Sequence, residues 1–434
     1  MIYPRDLITK IEPYLSRREF LSIVGPRQCG KTTFLEILKE HLAKEHKVHA
    51  ELISSITFED RRLLSQFEAD PISFISSYRV KETADTHFLM IDEFQYARDG
   101  GQKLKLIYDT AKNIKIIVTG SSSIEIKSNV AKFMVGRLLG FELHPFNFAE
   151  YLQTRDPRLE NLCRQHNGKV DSWLFEGRDF EIKSGPDVIF EEMVPHFEDF
   201  CIWGGYPGVA LSKNPVEREK VLGDIYNGYI LKDIKTLLEL ATENNLYLLS
   251  KVLATQVGNI ISYQNLGQAS QLNYRQLKKH LNILKETFIC RKVRPFFKNK
   301  QKELSKNPKV YFYDLGFRNN LLENMNSLDK RPDAGAMIEN AVFVRLNELC
   351  QGGHYLNFWR TKAGAEVDFI LQVKSKVVPI EVKYSPFRKD QISKSLASFI
   401  DSFKPESAVV LTKNYWGSTD RNGTAIRFIP AYYL

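Results

Sequence analysis

Gly25-Pro26-Arg27-Gln28-Cys29-Gly30-Lys31-Thr32 satisfies every fixed position of G-x-x-x-x-G-K-[ST]. The run before it, Glu19-Phe20-Leu21-Ser22-Ile23-Val24, reads as a short buried strand. Phe34, Leu35, Leu38 and Leu42 after it fall at helical spacing. A glycine-rich loop between a strand and a helix lets backbone N–H groups curl around phosphate oxygens at a helix N-terminus. Lys31 is then placed to reach the β- and γ-phosphates, and Thr32 to hold Mg²⁺, with Thr33 completing a nucleotide-contacting stretch from Gly25 onward. ATP and Mg²⁺ are the expected cofactors.

Further pieces follow in the order such a core needs. Phe88-Leu89-Met90-Ile91-Asp92-Glu93 is an apolar strand ending in two acids. Asp92 is expected to ligate Mg²⁺ through water, and Glu93 to polarise the attacking water. Val48–Ser54 reads as an intervening strand. Lys115-Ile116-Ile117-Val118 is another, running into Thr119-Gly120-Ser121-Ser122-Ser123. Small hydroxyl residues at that strand end, Ser121 among them, can hold the attacking water or the γ-phosphate; the alternative is an N-cap for the next helix, and one serine can cap while another senses nucleotide. Gly136-Arg137 precedes a last strand, Leu138–Leu143.

This arrangement resembles the AAA+ ATPase core. In that family an arginine just before the last strand reaches the nucleotide of a neighbouring subunit. The resemblance makes Arg137 an arginine-finger candidate, the alternative being a surface salt bridge. It also implies a homo-oligomer on ATP binding. The phrases GPRQCGKTT, IDEFQ, TGSSS, GR before LHPF, GGYP and LKDI together resemble AAA+ ATPases of the archaeal-ATPase clade. Residues 1–145 are accordingly expected to form the core. Residues 146–240 are expected to form a helical lid, with a polar, irregular insertion at 154–190.

Positive charge is concentrated. Of a net +9, residues 241–310 alone carry thirteen Lys or Arg against Glu243, Glu286 and Glu303. Such an excess marks either a polyanion site or a solvated face. Leu246, Leu249, Val252, Leu253 and Val257 predict a helix, Asn265–Ser270 a second, and Asn273 caps a third. In the third, Leu277, Leu281 and Leu284 line one face and leave Arg275, Gln276, Lys278, Lys279 and Asn282 on the other. Strands at Phe288–Phe296 and Lys309–Tyr313 bracket a basic tip that includes Lys298 and Lys300. Three helices and a hairpin predict a winged helix-turn-helix over 241–315. Arg275, Lys278, Lys279, Lys298 and Lys300 are the expected DNA contacts, the alternative being a winged helix that docks protein.

In 316–434, Val367–Leu371 and Val377–Lys383 flank a polar turn. Centring the turn on Lys374-Ser375 sets Asp368 opposite Glu381 and Glu366 opposite Lys383, all on one face. Facing carboxylates repel unless a cation lies between them, and Mg²⁺ is the natural one. Met337–Leu349 reads as a helix with Glu339 on an apolar face, where an unpartnered carboxylate is costly. Helix Glu, hairpin Asp and Glu-x-Lys resemble the PD-(D/E)XK nuclease fold. By that resemblance Asp368 and Glu381 bind metal, Glu339 assists, Lys383 is catalytic, and Gln391 on a following helix is an added candidate. The alternative is a charged hairpin face without metal.

The 434 residues, 43% hydrophobic and 26% charged, exclude a disordered or collagen-like chain. No run approaches about 20 apolar residues and no secretory pattern opens the chain, so a cytoplasmic protein away from membranes is expected. Five scattered cysteines without C-x-x-C predict neither a disulfide framework nor a zinc site. His41, His46 and His49 read as solvated positions near a helix end. The fold class expected is α/β. The expected function is an ATP-hydrolysing AAA+ protein that acts on DNA, with a metal-dependent nuclease domain gated by nucleotide state. The alternative is a regulator or mobile-element helper with an inactive nuclease fold.

Overall fold

The computed structural model describes residues 2–78, 85–121, 130, 132–228, 243–350 and 353–434. These divide into two compact units, residues 1–146 with 286–288, and residues 147–285 with 289–434. Apart from residues 146 and 286–288, the segments expected as lid, winged helix and nuclease-like domain therefore belong to one unit. Ser122, Ser123, Tyr229, Lys232 and Asp233 lie outside the described residues.

The first unit is built on five parallel strands: β1 (Phe20–Val24), β2 (Ile53–Thr57), β3 (His87–Asp92), β4 (Ile114–Gly120) and β5 (Leu138–Glu142), in the order β2-β3-β4-β1-β5. Strands β1, β3 and β4 are buried along their whole length. Coverage on both faces is why they read as continuous apolar runs rather than alternating ones. The strand expected at Val48–Ser54 begins later, at Ile53, because a short 3-10 turn at Ala50–Leu52 precedes it. Helices α1 (Leu7–Leu15) and α2 (Lys31–Lys44) share one cluster, in which Leu7, Ile11 and Leu15 meet Phe34, Leu38, Leu42 and the β1 residues Leu21 and Ile23. Each fully buried aliphatic side chain there contributes about 1.5–3 kcal/mol. Parallel register sets Val24 beside Gly120, so the ends of β1 and β4 meet. Asp92 closes the neighbouring strand β3. Open α/β sheets take ligands at this carboxyl edge.

The second unit holds a nine-stranded mixed sheet: β6 (Gly185–Pro186), β7 (Cys290–Pro295), β8 (Lys309–Phe312), β9 (Tyr355–Arg360), β10 (Glu366–Val373), β11 (Lys376–Lys383), β12 (Ser407–Thr412), β13 (Tyr415–Arg421) and β14 (Thr424–Pro430). Its order is β6-β13-β14-β12-β11-β10-β9-β7-β8. The hairpin β7–β8 was the expected wing. It joins this sheet through parallel pairing of Arg294 with Asn357 and Pro295 with Phe358. Its basic tip is a short helix, Lys300–Ser305, capped by Asn299. Three helices precede the hairpin, Glu243–Thr255, Tyr263–Ser270 and Tyr274–Glu286. Asn273 and Gln276 cap the third reciprocally, at 3.0 and 3.1 Å.

Against the expectation of an irregular insertion, Pro157–Glu176 is a 20-residue helix. Asp156 caps its start and Gly177 (φ 75°) its end, while Leu159, Cys163, Val170, Trp173 and Leu174 give it a buried stripe. The five cysteines are all buried thiols. No helix among the described residues is long and apolar enough to cross a membrane.

Candidate nucleotide site and carboxylate pocket

The loop after β1 is shaped by close approach. A Cβ on Gly25 would lie 2.0 Å from the Leu143 carbonyl oxygen, so no side chain fits there. Gln28 (φ 59°) and Gly30 (φ 94°) take left-handed conformations, which turn successive backbone N–H groups inward. Pro26 and Cys29 are buried, Arg27 is half-buried, and the Cys29 carbonyl accepts a hydrogen bond from Arg5 at 3.0 Å. Gly30 gives α2 no side-chain cap, so the amides of its first turn, Lys31 to Thr33, are left for an anion. Lys31, 5% exposed, donates to the carbonyls of Gly25 (3.2 Å) and Pro26 (3.0 Å).

The Thr32 and Asp92 side chains meet at the end of β3. The Thr32 hydroxyl donates to Asp92 Oδ2 at 2.5 Å, and the Thr119 hydroxyl donates to Asp92 Oδ1. Glu93 (φ 54°) sits in the left-handed region, with its N–H shared between Asp92 Oδ1 (3.1 Å) and Thr119 Oγ1 (3.3 Å). Gln95 donates to Glu93 Oε2 and, at 3.3 Å, to Ser121 Oγ. Gln95 joins this cluster although motif spacing did not single it out, while Thr119 is one of the small hydroxyl residues read at the β4 end. The signal for Gln95 was position, two residues past Glu93. A glycine cradle, an uncapped helix start and a hydroxyl–carboxylate pair fit a nucleotide with Mg²⁺. Arg137 stands elsewhere, before β5 and level with Phe20 at the opposite end of the strands, paired with Asp109 at 3.2 Å.

The second cluster lies around the β10–β11 hairpin. Its register matches the expected turn, from Val373↔Lys376 to Phe369↔Ile380. A register shift against β9 between Val367 and Ile370 then interrupts the pattern. Bulges of this kind re-aim side chains beside functional sites. Here Asp368 Oδ2 accepts the Val382 N–H at 2.8 Å. Glu381, 2% exposed, pairs through Oε1 with Lys383 at 3.3 Å, while its Oε2 is buried without a hydrogen-bond partner among the described residues. That orphaned oxygen, with Asp368 across the hairpin, fits a hard divalent cation. Burial raises both carboxyls above their ordinary range; Lys309 and the Val382 amide offset this at Asp368, and Ser393 and Lys383 offset it at Glu381.

Glu339, on the helix Ala334–Leu349, is placed differently. Its Oε1 accepts from Lys309 Nζ at 3.0 Å and from the Tyr311 hydroxyl, so it is already neutralised from β8. Burial pushes its carboxyl up to about 7 even so. Lys309, 1% exposed, also lies 2.6 Å from Glu366 Oε1. Glu366 pairs with Lys309 and, at 3.2 Å, with Arg360 rather than with Lys383. Sequence reading placed Lys309 and Tyr311 only as strand residues, because nothing local shows that β8 returns beside the acids. Gln391 is exposed and precedes the next helix, which Ser393 caps and which starts at Lys394.

Arg275, Lys278 and Lys279 are exposed on the helix whose Leu277, Leu281 and Leu284 are buried. Lys278 lies over the Tyr274 ring at 4.4 Å, and Lys298 is exposed near Phe403. The side chain of Lys300 lies outside the described residues.

Residues 17–152 match the model of the AAA domain. Residues 194–328 and 334–432 match two models described as domains of unknown function, DUF8612 and DUF4143. An uncharacterized protein of Haemophilus influenzae is 20% identical over 422 residues, covering 96% of this chain and 94% of its own. One from Methanocaldococcus jannaschii is 24% identical over 391 residues, covering 88% and 77%. Among solved structures, the Aeropyrum pernix ORC1 protein in complex with DNA overlaps at a TM-score of 0.30 and 13% identity, covering 74% of this chain and 93% of that one. C. elegans PCH-2 overlaps at 0.30 and 15%, covering 64% and 70%. With the AAA match, the five-stranded parallel sheet and its phosphate loop, the first unit has an AAA-type P-loop core.

Proposed function

We propose that the chain, working from its AAA domain, hydrolyses ATP to control a DNA-directed second unit that contains a metal-dependent nuclease site. In the first unit the amides of residues 26–33 and Lys31 bind the phosphates, and Thr32 and Asp92 hold Mg²⁺. Glu93, fixed by Gln95, orients the attacking water. Arg137, away from its own phosphate loop, serves the nucleotide of a second copy in an ATP-dependent oligomer.

In the second unit Asp368 and Glu381 are the metal ligands. A divalent cation held there supplies Lewis-acid polarisation of a phosphate oxygen. Lys383, beside Glu381, steadies charge that develops on the scissile phosphate. Arg275, Lys278, Lys279, Lys298 and Lys300 contact DNA phosphates, as expected of a winged helix. The observation that carries the nuclease reading is the buried Glu381 Oε2, without a hydrogen-bond partner among the described residues, beside Lys383 and with Asp368 on the facing strand.

A second reading has its own observation. Lys309 already neutralises Glu339 and Glu366, which favours a nuclease-type fold kept for binding rather than cutting. One experiment separates the two: incubation of single-stranded, duplex and supercoiled DNA with Mg²⁺ or Mn²⁺, with and without ATP, using wild type and Asp368→Ala. Metal-dependent cutting lost in the variant supports the nuclease, and a change with ATP supports gating. ATP hydrolysis without cutting of any substrate supports the second reading.

A further inference from the structure

The end of α2 brings together three side chains that the nucleotide site does not use. His41 lies in the last turn of α2, and His46 follows two residues past its end. On a continuing helix, residues five apart diverge by about 140°. Here the helix stops: Glu45 N–H donates to the His41 carbonyl at 2.9 Å, Val48 N–H donates to Leu42 at 3.1 Å, and Lys47 takes φ 53°. At this end the His41 and His46 imidazoles stand 5.5 Å apart, edge to face. Glu12 meets them from α1, which the shared core holds beside α2. Its Oε2 lies 2.5 Å from His41 Nε2 and its Oε1 2.8 Å from His46 Nε2. The three ligand atoms lie within 4.8 Å of one another.

We infer that Glu12, His41 and His46 form a binding site for one divalent transition-metal ion of the Zn²⁺ class. Two imidazole nitrogens and one carboxylate suit Zn²⁺, Co²⁺ or Ni²⁺, whereas Mg²⁺ and Ca²⁺ favour oxygen donors alone. With bonds of about 2.0–2.2 Å to a tetrahedral ion, donor atoms sit about 3.3–3.5 Å apart. The Glu12–His contacts reach that by lengthening less than about 1 Å, and the fourth position stays open to water. The α2 carbonyl terminus adds favourable negative potential. Bound metal would clamp α1 to the far end of the helix that begins at the phosphate loop.

The test is calorimetric titration of Zn²⁺ into the full chain in excess Mg²⁺, which saturates the oxygen-donor sites. Wild type is expected to take one Zn²⁺ at this site, with a Zn²⁺-dependent rise in Tm. His41→Ala, His46→Gln and Glu12→Gln should each weaken that binding about tenfold or more and abolish the rise in Tm. Co²⁺ in place of Zn²⁺ should show the intense visible bands of a four-coordinate ion in wild type alone. Zn²⁺ binding that is absent from wild type, or retained by the His41→Ala/His46→Gln double variant, overturns the site. Should His41→Ala fold poorly, His46→Gln, on the exposed turn, decides by itself.

Discussion

Lys309 and Glu339 form a buried ion pair, Nζ to Oε1 at 3.0 Å, that ties β8 to the helix Ala334–Leu349. The same ammonium reaches Glu366 at 2.6 Å, and its charge acts on Asp368. One cation thus acts on three acids, with Arg360 also pairing Glu366 and Lys383 also acting on Asp368. Lys309→Met should leave Glu339 without its counter-charge and lower stability by about 3–5 kcal/mol, the usual result of removing one partner of a buried pair. Because a divalent cation can replace the lost charge, Mg²⁺ or Mn²⁺ should restore part of that loss. Urea unfolding of wild type and variant in chelator and in Mg²⁺ measures both effects. Equal stability in chelator would show that Lys309 carries no such burden.

Gly25→Ala tests the cradle. The added carbon would sit 2.0 Å from the Leu143 carbonyl and 3.1 Å from Cys29 Sγ, and the nearer contact is backbone, which cannot rotate away. The loop or the backbone at Leu143, just past β5, must shift, at a cost of about 1–3 kcal/mol. Binding of a fluorescent ATP analogue should be lost with a lowered Tm. Retention of both would mean that the loop approaches the Leu143 carbonyl less closely.

The phosphate loop was legible in sequence because its chemistry is contiguous. Glycines, Lys31 and Thr32 occupy one stretch, and strand-end acids reveal Asp92 and Glu93. The hairpin register was legible too, since a two-residue turn fixes which residues pair. Lys309 and Tyr311 were not, because their role depends on β8 lying in the same sheet as β10, a pairing order that local pattern does not encode. His41 and His46 read as solvated for a related reason. Their convergence on Glu12 depends on where α2 ends and on the packing of α1 against α2. The helix Pro157–Glu176 was missed because its polar face outnumbers its stripe, although Asp156-Pro157 and Gly177 marked both ends.

Glu93 and Gln95 should separate in kinetics. Glu93→Gln removes the group that activates water and should lower kcat for ATP hydrolysis about 10²–10⁴-fold while nucleotide binding persists. Gln95 only holds Glu93 through its amide, so Gln95→Ala should lower kcat less, with KM unchanged. Steady-state hydrolysis with direct binding measurements distinguishes them. A Gln95→Ala defect confined to KM would exclude the positioning role.

The exposed lysines of the third helix predict a salt signature. If Lys278 and Lys279 each neutralise one DNA phosphate, Lys278→Ala/Lys279→Ala should weaken binding across sequences. It should also reduce the slope of log K against log salt by about 2. Fluorescence anisotropy over a salt series reads this directly. An unchanged slope would assign that face to a protein partner.

Asp333 predicts acid behaviour. It accepts from Arg331 at 2.9 and 3.0 Å and from Arg318 at 2.6 Å, and both arginine side chains are buried. Burial alone would raise its carboxyl, but the hydrogen bonds from Arg331 and Arg318 outweigh it and hold the group well below the usual range. A lowered carboxyl pKa stabilises the fold above the unfolded value, near pH 4. That contribution is lost as pH falls through the folded value, since the unfolded chain takes up the proton first. Asp333→Asn should therefore lose about 3–5 kcal/mol at neutral pH, where two buried guanidinium groups lose their counter-charge. The gap to wild type should narrow steadily below about pH 4. Urea midpoints across that range would show it, and a deficit that stays constant with pH would assign Asp333 a packing role instead of an electrostatic one.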